Sequence, residues 1–141
     1  MNLLKELYSH IIIPQAVYEE IEMGREKPFY KNLLQYEWIE VVKVADSNAL
    51  SFFVDLDRGE AEVLVLAKEM DADLIIMDEL MGRRFVQQLG LKLTGTVGVL
   101  LKAKELGLIA SVTDLLTELI QKGTWISPKL MIKAKQIVGE I

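Results

Sequence analysis

Glu60 and Asp78 stand where a helix begins and where the strand after it ends. The stretch reads Leu-Asp-Arg-Gly-Glu-Ala-Glu over 56–62 and Ala-Asp-Leu-Ile-Ile-Met-Asp-Glu over 72–79, with an apolar helical period between. A helix and the strand that follows it in an α/β unit run antiparallel, so these two ends lie side by side. Carboxylates gathered there repel one another unless a cation or a shared proton neutralises them. Glu60 and Asp78, with Glu79 joining directly or through water, would hold Mg²⁺ or Mn²⁺, hard ions that take carboxylate oxygens and retain waters. An ion of this kind lowers the pKa of a bound water and stabilises charge on a phosphate during hydrolysis. Helix capping competes with that reading. Glu in a first helical turn complements the helix dipole, and Asp at a strand end caps the next helix. Spacing alone leaves both open.

Nearby residues divide in the same way. Asp57 reads as an N-cap, and Glu62 as a solvated or salt-bridged side chain. Arg83 and Arg84 open the next helix and would either contact phosphate or pair with the acids; Arg58 has the same two readings. Gly95-Thr96-Val97-Gly98 sits at a strand-to-helix junction, where backbone amides and the Thr96 hydroxyl can receive an anion. The competing reading there is a capped tight turn. His10 reads as packed or surface structure, Trp38 and Trp125 as core or interface anchors, and Lys129, Lys133 and Lys135 as a solvated face.

Composition narrows the chemistry. The chain has no cysteine and a single histidine, His10, so thiolate sites, His-based triads and multi-histidine zinc sites within one chain are excluded and a metal would be held by oxygen. The absence of Cys fits a cytoplasmic protein. The net charge of −5 argues against strong nonspecific phosphate binding, which Lys and Arg drive. An apolar fraction of 51% is high for a soluble chain, yet no run approaches the roughly 18–20 apolar residues of a membrane span. An interface in a homo-oligomer is the expected outlet for that apolar excess. The start Met-Asn-Leu-Leu-Lys-Glu-Leu-Tyr carries no signal-peptide pattern, and 141 residues make one domain of residues 1–141 the simplest reading.

The elements that position the acids follow from periodicity and punctuation. Leu3, Leu4 and Leu7 mark the last turns of a helix. His10-Ile-Ile-Ile-Pro14 reads as a short buried strand, and Pro14 opens a helix that Gly24 ends. Leu33 to Tyr36 reads as a short helix and Trp38 to Val44 as a strand at an edge. Ala61 to Met70 follows the helical period, and Leu74 to Met77 is an apolar run typical of buried parallel strands. A helix over Arg83–Leu89, a strand over Leu91–Thr94 and a helix over Val97–Leu106 follow, then helices over Val112–Lys122 and Pro128–Val138 with Ser111 and Ser127 as N-caps. Strands alternating with helices predict an α/β fold with a mostly parallel sheet between helical layers, its ligands at the carboxyl ends of the strands.

These residues resemble a PIN-like family, the PIN-related domain of unknown function 3368. The likeness runs through Ile-Ile-Ile-Pro-Gln-Ala-Val-Tyr-Glu-Glu (11–20), Asp-Arg-Gly-Glu-Ala-Glu (57–62), Ala-Asp-Leu-Ile-Ile-Met-Asp-Glu (72–79), Gly82-Arg-Arg84 and Leu91 to Leu101. It implies a three-layer α/β/α PIN-like fold and descent from ribonucleases that use Mg²⁺ or Mn²⁺ held by three or four acids. Many such proteins are toxins of toxin–antitoxin pairs. Glu60 matches the family's helix acid, Asp78 the acid after the later strand, and Glu79 is a weaker match to the fourth. Relatives begin with a central strand that supplies the first acid, and this sequence begins near the end of the helix that follows it. The N-terminal strand is therefore expected to be missing, leaving unpaired backbone and exposed apolar surface on both flanks.

Three functions follow as expectations. One is a divalent-metal-dependent ribonuclease, or a degenerate descendant, with Glu60 and Asp78 on the metal and Arg83 and Thr96 on phosphate. Its partners would be RNA, an antitoxin-like protein and a second copy, with no membrane. Another is a non-catalytic oligomeric interaction module that has lost a complete metal site. The third is a phosphate-binding regulatory domain using the Gly95–Gly98 turn.

Overall fold

The structure is a computed structural model that describes residues 2–28, 30–78 and 80–140. Its elements run α1 (Asn2–Tyr8), β1 (Ile11–Pro14), α2 (Gln15–Met23), a 3₁₀ turn (Leu33–Gln35), β2 (Ile39–Val42), a second 3₁₀ segment (Ser47–Phe53), α3 (Arg58–Glu69), β3 (Ile75–Ile76), α4 (Leu80–Gln88), β4 (Leu93–Thr94), α5 (Thr96–Glu105), α6 (Val112–Gln121) and α7 (Pro128–Val138). The alternation of strands and helices is the mixed α/β order that the sequence predicts. The chain forms two compact units, Met1–Leu93 and Thr94–Ile141. Among the described residues no helix is long and apolar enough to cross a membrane.

In the first unit β1 and β2 pair in parallel, with Ile11 opposite Ile39 and Pro14 opposite Val42. Strand β3 pairs with β4, and among the described residues the two pairs do not join into one sheet. Helix α3 packs against β1, α2, α4 and the second 3₁₀ segment. Its Ala61, Leu64 and Ala67 form one buried cluster with Leu56, Ile75, Met77 and Val86. Gly82 belongs to this packing: a Cβ there would lie 2.2 Å from Met77 Sδ. Phe53 and Phe85 close the cluster's flank edge to face, with ring centroids 5.1 Å apart. The Ser47–Phe53 segment is absent from the sequence reading. It lacks a helical period, and an Asx turn at its start holds it, with the Asp46 carboxylate accepting from Asn48 N–H at 3.0 Å.

Helix ends follow a repeated rule. The helices α4, α5, α6 and α7 stop at Gly90, Gly107, Gly123 and Gly139, all at positive φ. Helix α3 stops in the same way at Asp71, φ 51°, where Ala72 N–H donates to Ala67 C=O at 2.9 Å. That six-to-one bond defines a Schellman ending, and Asp replaces the usual glycine at a modest steric cost. Helix α4 begins at Leu80, three residues before the expected Arg83, because the apolar period that marks it in the sequence starts only after its first turn.

In the second unit α5, α6 and α7 pack against one another. Glu140 locks this trio. Its carboxylate accepts from Thr113 N–H at 2.9 Å, Val112 N–H at 3.0 Å and Ser111 Oγ at 3.1 Å, and pairs with Lys104 Nζ at 3.2 Å. It therefore caps α6 from just beyond the C-terminal end of α7. Trp125 is 82% exposed, so it is no core anchor, whereas Trp38 is buried against Tyr36.

The amides of Thr113 and Val112, then Lys104, hold the Glu140 carboxyl well below the usual carboxylate range. A carboxylate whose pKa is depressed on folding stabilises above its unfolded value of about 4.3, and that contribution fades as pH falls below it. Glu140→Gln is expected to lower the melting temperature at neutral pH and to flatten its decline on acidification, as read by calorimetry across a pH series. Asp71→Gly is expected to raise stability by a few tenths to about 1 kcal/mol in urea denaturation, by relieving the left-handed residue that ends α3.

Candidate metal centre

The first unit builds its acidic end from α3 and β3. Asp57 is the N-cap of α3: its carboxylate accepts from Glu60 N–H at 2.9 Å, while Glu60 Oε2 accepts from Asp57 N–H at 3.3 Å. This reciprocal capping box is encoded by Asp-x-x-Glu over 57–60. The chain then runs down α3, reverses at Asp71 and returns through β3. The N-terminus of α3 and the C-terminus of β3 therefore face the same way. Asp78 follows β3 and is exposed. Glu79 lies outside the described residues.

The capping reading of Glu60 is met by this box. Its capping role is present, through the long bond from Asp57 N–H. By donor type the set suits Mg²⁺ or Mn²⁺, which accept carboxylate oxygen and keep several waters. Among the described residues, however, no three His, Cys, Asp or Glu side chains come together as a metal-binding group.

Glu62 is the acid the sequence reading undervalued. It is 4% exposed, the one buried charged side chain of the described residues. Its Oε1 accepts from Ala16 N–H at 3.0 Å, in the first turn of α2, and its Oε2 pairs with Arg58 Nε at 3.0 Å. Arg58 also lies 3.8 Å from Glu19, so it serves the acids of α2 and α3. The expected salt bridge at Glu62 is present, but the residue is not solvated. Glu69 does similar work, accepting from Ala45 N–H at 2.9 Å and Asp46 N–H at 2.8 Å. Glutamates that cap a distant segment leave no local signature, which is why only Asp57 and Glu60 were readable in advance.

Arg83 lies half-buried on α4, and its Nε is buried with no hydrogen-bond partner among the described residues. Arg84 is exposed. Thr96 opens α5 in the second unit. Gly95 is its N-cap with no side-chain bond to the helix, and Gly98 leaves room for Thr94, whose Oγ1 would lie 2.1 Å from a Cβ there. Gly95 is extended and Thr96–Gly98 form the first turn of α5, so the segment is a strand-to-helix junction rather than a capped tight turn. His10 is exposed and bonded to Glu40 at 3.1 Å. Sequence patterns also gave no hint of an open groove of about 710 Å³ lined by Phe52, Phe53, Phe85, Leu89, Lys68 and Glu69. Its lining comes from segments remote in sequence.

Glu62→Ala is expected to cost about 1–3 kcal/mol in denaturant unfolding, since it strands a buried donor at Ala16 and removes the Arg58 partner. Glu62→Gln is expected to cost less, because its amide oxygen can still accept from Ala16.

No curated protein and no solved structure matches the chain. A family model does: the domain-of-unknown-function family 3368, described as a PIN domain, matches residues 1–140. This match over nearly the whole length assigns the chain to the PIN domain family.

Proposed function

We propose that the protein is a PIN-type, divalent-metal-dependent ribonuclease. The observation that carries this reading is membership of the family together with the placement of Glu60 at the start of α3 and Asp78 directly after β3. Glu60 and Asp78 would hold Mg²⁺ or Mn²⁺, with Glu79 as a further donor. When bound, the ion supplies a water of lowered pKa and neutralises charge on the phosphodiester. The chain's own contributions are positional. The capping box fixes Glu60 on α3, and Glu62 fixes α3 against α2. On α4, Arg83, whose buried Nε has no partner among the described residues, carries a guanidinium of the kind that receives a phosphate oxygen. Thr96, at the head of α5, is a second candidate phosphate contact in its own unit. RNA is the substrate in this reading, and an antitoxin-like protein is its regulatory partner.

One observation favours a second reading, a non-catalytic interaction module: no three metal-binding side chains gather among the described residues. The two readings separate cleanly. Glu60→Gln preserves the capping box, in which Gln serves as well as Glu, so it removes charge without unfolding α3. For the nuclease, Mn²⁺ binds by titration calorimetry, and Mn²⁺-dependent cleavage of single-stranded RNA falls on the order of 100-fold in Glu60→Gln and Asp78→Asn, the scale of single catalytic groups. Absence of Mn²⁺ binding at millimolar metal, or cleavage unchanged by both substitutions, would reject the nuclease and leave the interaction module.

A further inference from the structure

The second unit is basic within an acidic chain. Thr94–Ile141 carries six lysines against four acids, whereas the whole chain carries 16 basic and 21 acidic residues. From Leu119 to Gly139 there is no acid at all, and Lys122, Lys129, Lys133 and Lys135 fall within that run. The acids that border it are committed: Glu118 pairs with Lys122 Nζ at 3.1 Å, and Glu140 with Lys104 Nζ at 3.2 Å. Lys129 and Lys133 are exposed and pair with no acid among the described residues. Unpaired ammonium groups gathered on one element raise the local positive potential and favour a polyanion.

Helical periodicity places these lysines on one outward face of α7. Met131, Ala134 and Val138 follow i, i+3, i+7 spacing and turn inward, with Ala134 buried. Lys129, Lys133 and Gln136 follow i, i+4, i+7 spacing on the opposite side, and all three are exposed. Ile132 and Ile137 stand on the flanks of that face. Trp125 lies in the link from α6 to α7 and is 82% exposed. The link is pinned at both ends. Thr124 N–H donates to Leu119 C=O at 2.9 Å as α6 closes, and Ser127 Oγ accepts from Leu130 N–H at 3.1 Å as α7 starts. Ile126 is half-buried where Trp125 turns out. The indole is thus presented from a fixed backbone, just ahead of the first turn of α7 that carries Lys129.

We propose that this surface of the second unit binds single-stranded RNA, with Trp125 stacking on an unpaired base and Lys129 and Lys133 contacting phosphates. Single strands are held by this combination, aromatic faces for the bases and cations along the backbone. A duplex hides its base faces, so Trp125 selects against it. A bilayer is a poorer match. An interfacial helix lays an apolar face in the lipid and turns its lysines away, whereas Lys129, Lys133 and Gln136 hold the centre of this face and isoleucines its edges. RNA as the strand bound rests on the ribonuclease reading of the first unit; the stacking and phosphate contacts do not require it. The surface uses no residue of the first unit, so it serves to hold a strand rather than to cut it.

Binding of a fluorescein-labelled oligouridylate, followed by anisotropy without divalent metal, reads this surface independently of cleavage. Wild type is expected to bind the single strand, and to bind duplex RNA of the same length more weakly. Trp125→Ala is expected to weaken binding about 10-fold, the scale of one base–aromatic stack, and Trp125→Phe to restore most of it. Lys129→Gln combined with Lys133→Gln is expected to lower the slope of log affinity against log salt by about 1.4, as two phosphate contacts on a single strand require. These side chains are exposed, so the far-ultraviolet spectrum is expected to stay unchanged in every variant. Failure of wild type to bind, equal binding of duplex, affinity unchanged in Trp125→Ala, a salt slope unchanged in the lysine pair, or binding to phosphatidylglycerol vesicles without binding to RNA would overturn the proposal. A protein that binds as expected but does not cleave with Mn²⁺ keeps this surface and rejects the nuclease alone.

Discussion

Burial of helix α3 is the constraint on which the first unit depends. It packs against β1, α2, α4 and the Ser47–Phe53 segment, and contributes Ala61, Leu64 and Ala67 to the main cluster. A helix enclosed on so many sides has little room for unpaired polar groups, because a buried polar atom without a partner costs as much as a lost hydrogen bond or more. Its acids are accordingly committed. Glu60 closes the capping box, Glu62 caps α2 and binds Arg58, and Glu69 holds the backbone at Ala45 and Asp46. The helix that carries the candidate ligand is also the helix whose carboxylates join the unit together.

This dual use bears on the chemistry. A ligand acid must be held still, and the reciprocal Asp57–Glu60 bonds would do that for Glu60. Glu62 fixes the same helix against α2 from the buried side. The acids thus form a graded series along α3, from the capped and partly open Glu60 to the buried Glu62. Glu140 repeats the device in the second unit, where one carboxylate near the end of the chain collects two amides, a hydroxyl and an ammonium.

Local rules made much of this legible. The capping box at Asp57, the N-caps at Ser111 and Ser127, Pro128 in the first turn of α7, and the glycines after α4 to α7 depend on backbone groups a few residues away. The strands at Ile11–Pro14 and Ile39–Val42 announced themselves through β-branched runs. The α4 start was misplaced, since Leu80 to Gly82 shows no helical period of its own. The Ser47–Phe53 segment went unseen because an Asx turn and contact with α3 hold it. Near the candidate site, the Glu62 salt bridge to Arg58 four residues away was legible, but its burial was not, because its partner at Ala16 is 46 residues away.

The sequence alone determined the order of strands and α-helices, their local N-caps and the family, because these follow from neighbouring residues and motif. Tertiary structure decided which acids are spent on distant helix ends, that Trp125 is exposed while Trp38 is buried, and that the strands form two pairs. Those outcomes depend on which segments meet in space, and no local period or cap records a meeting between residues so far apart along the chain.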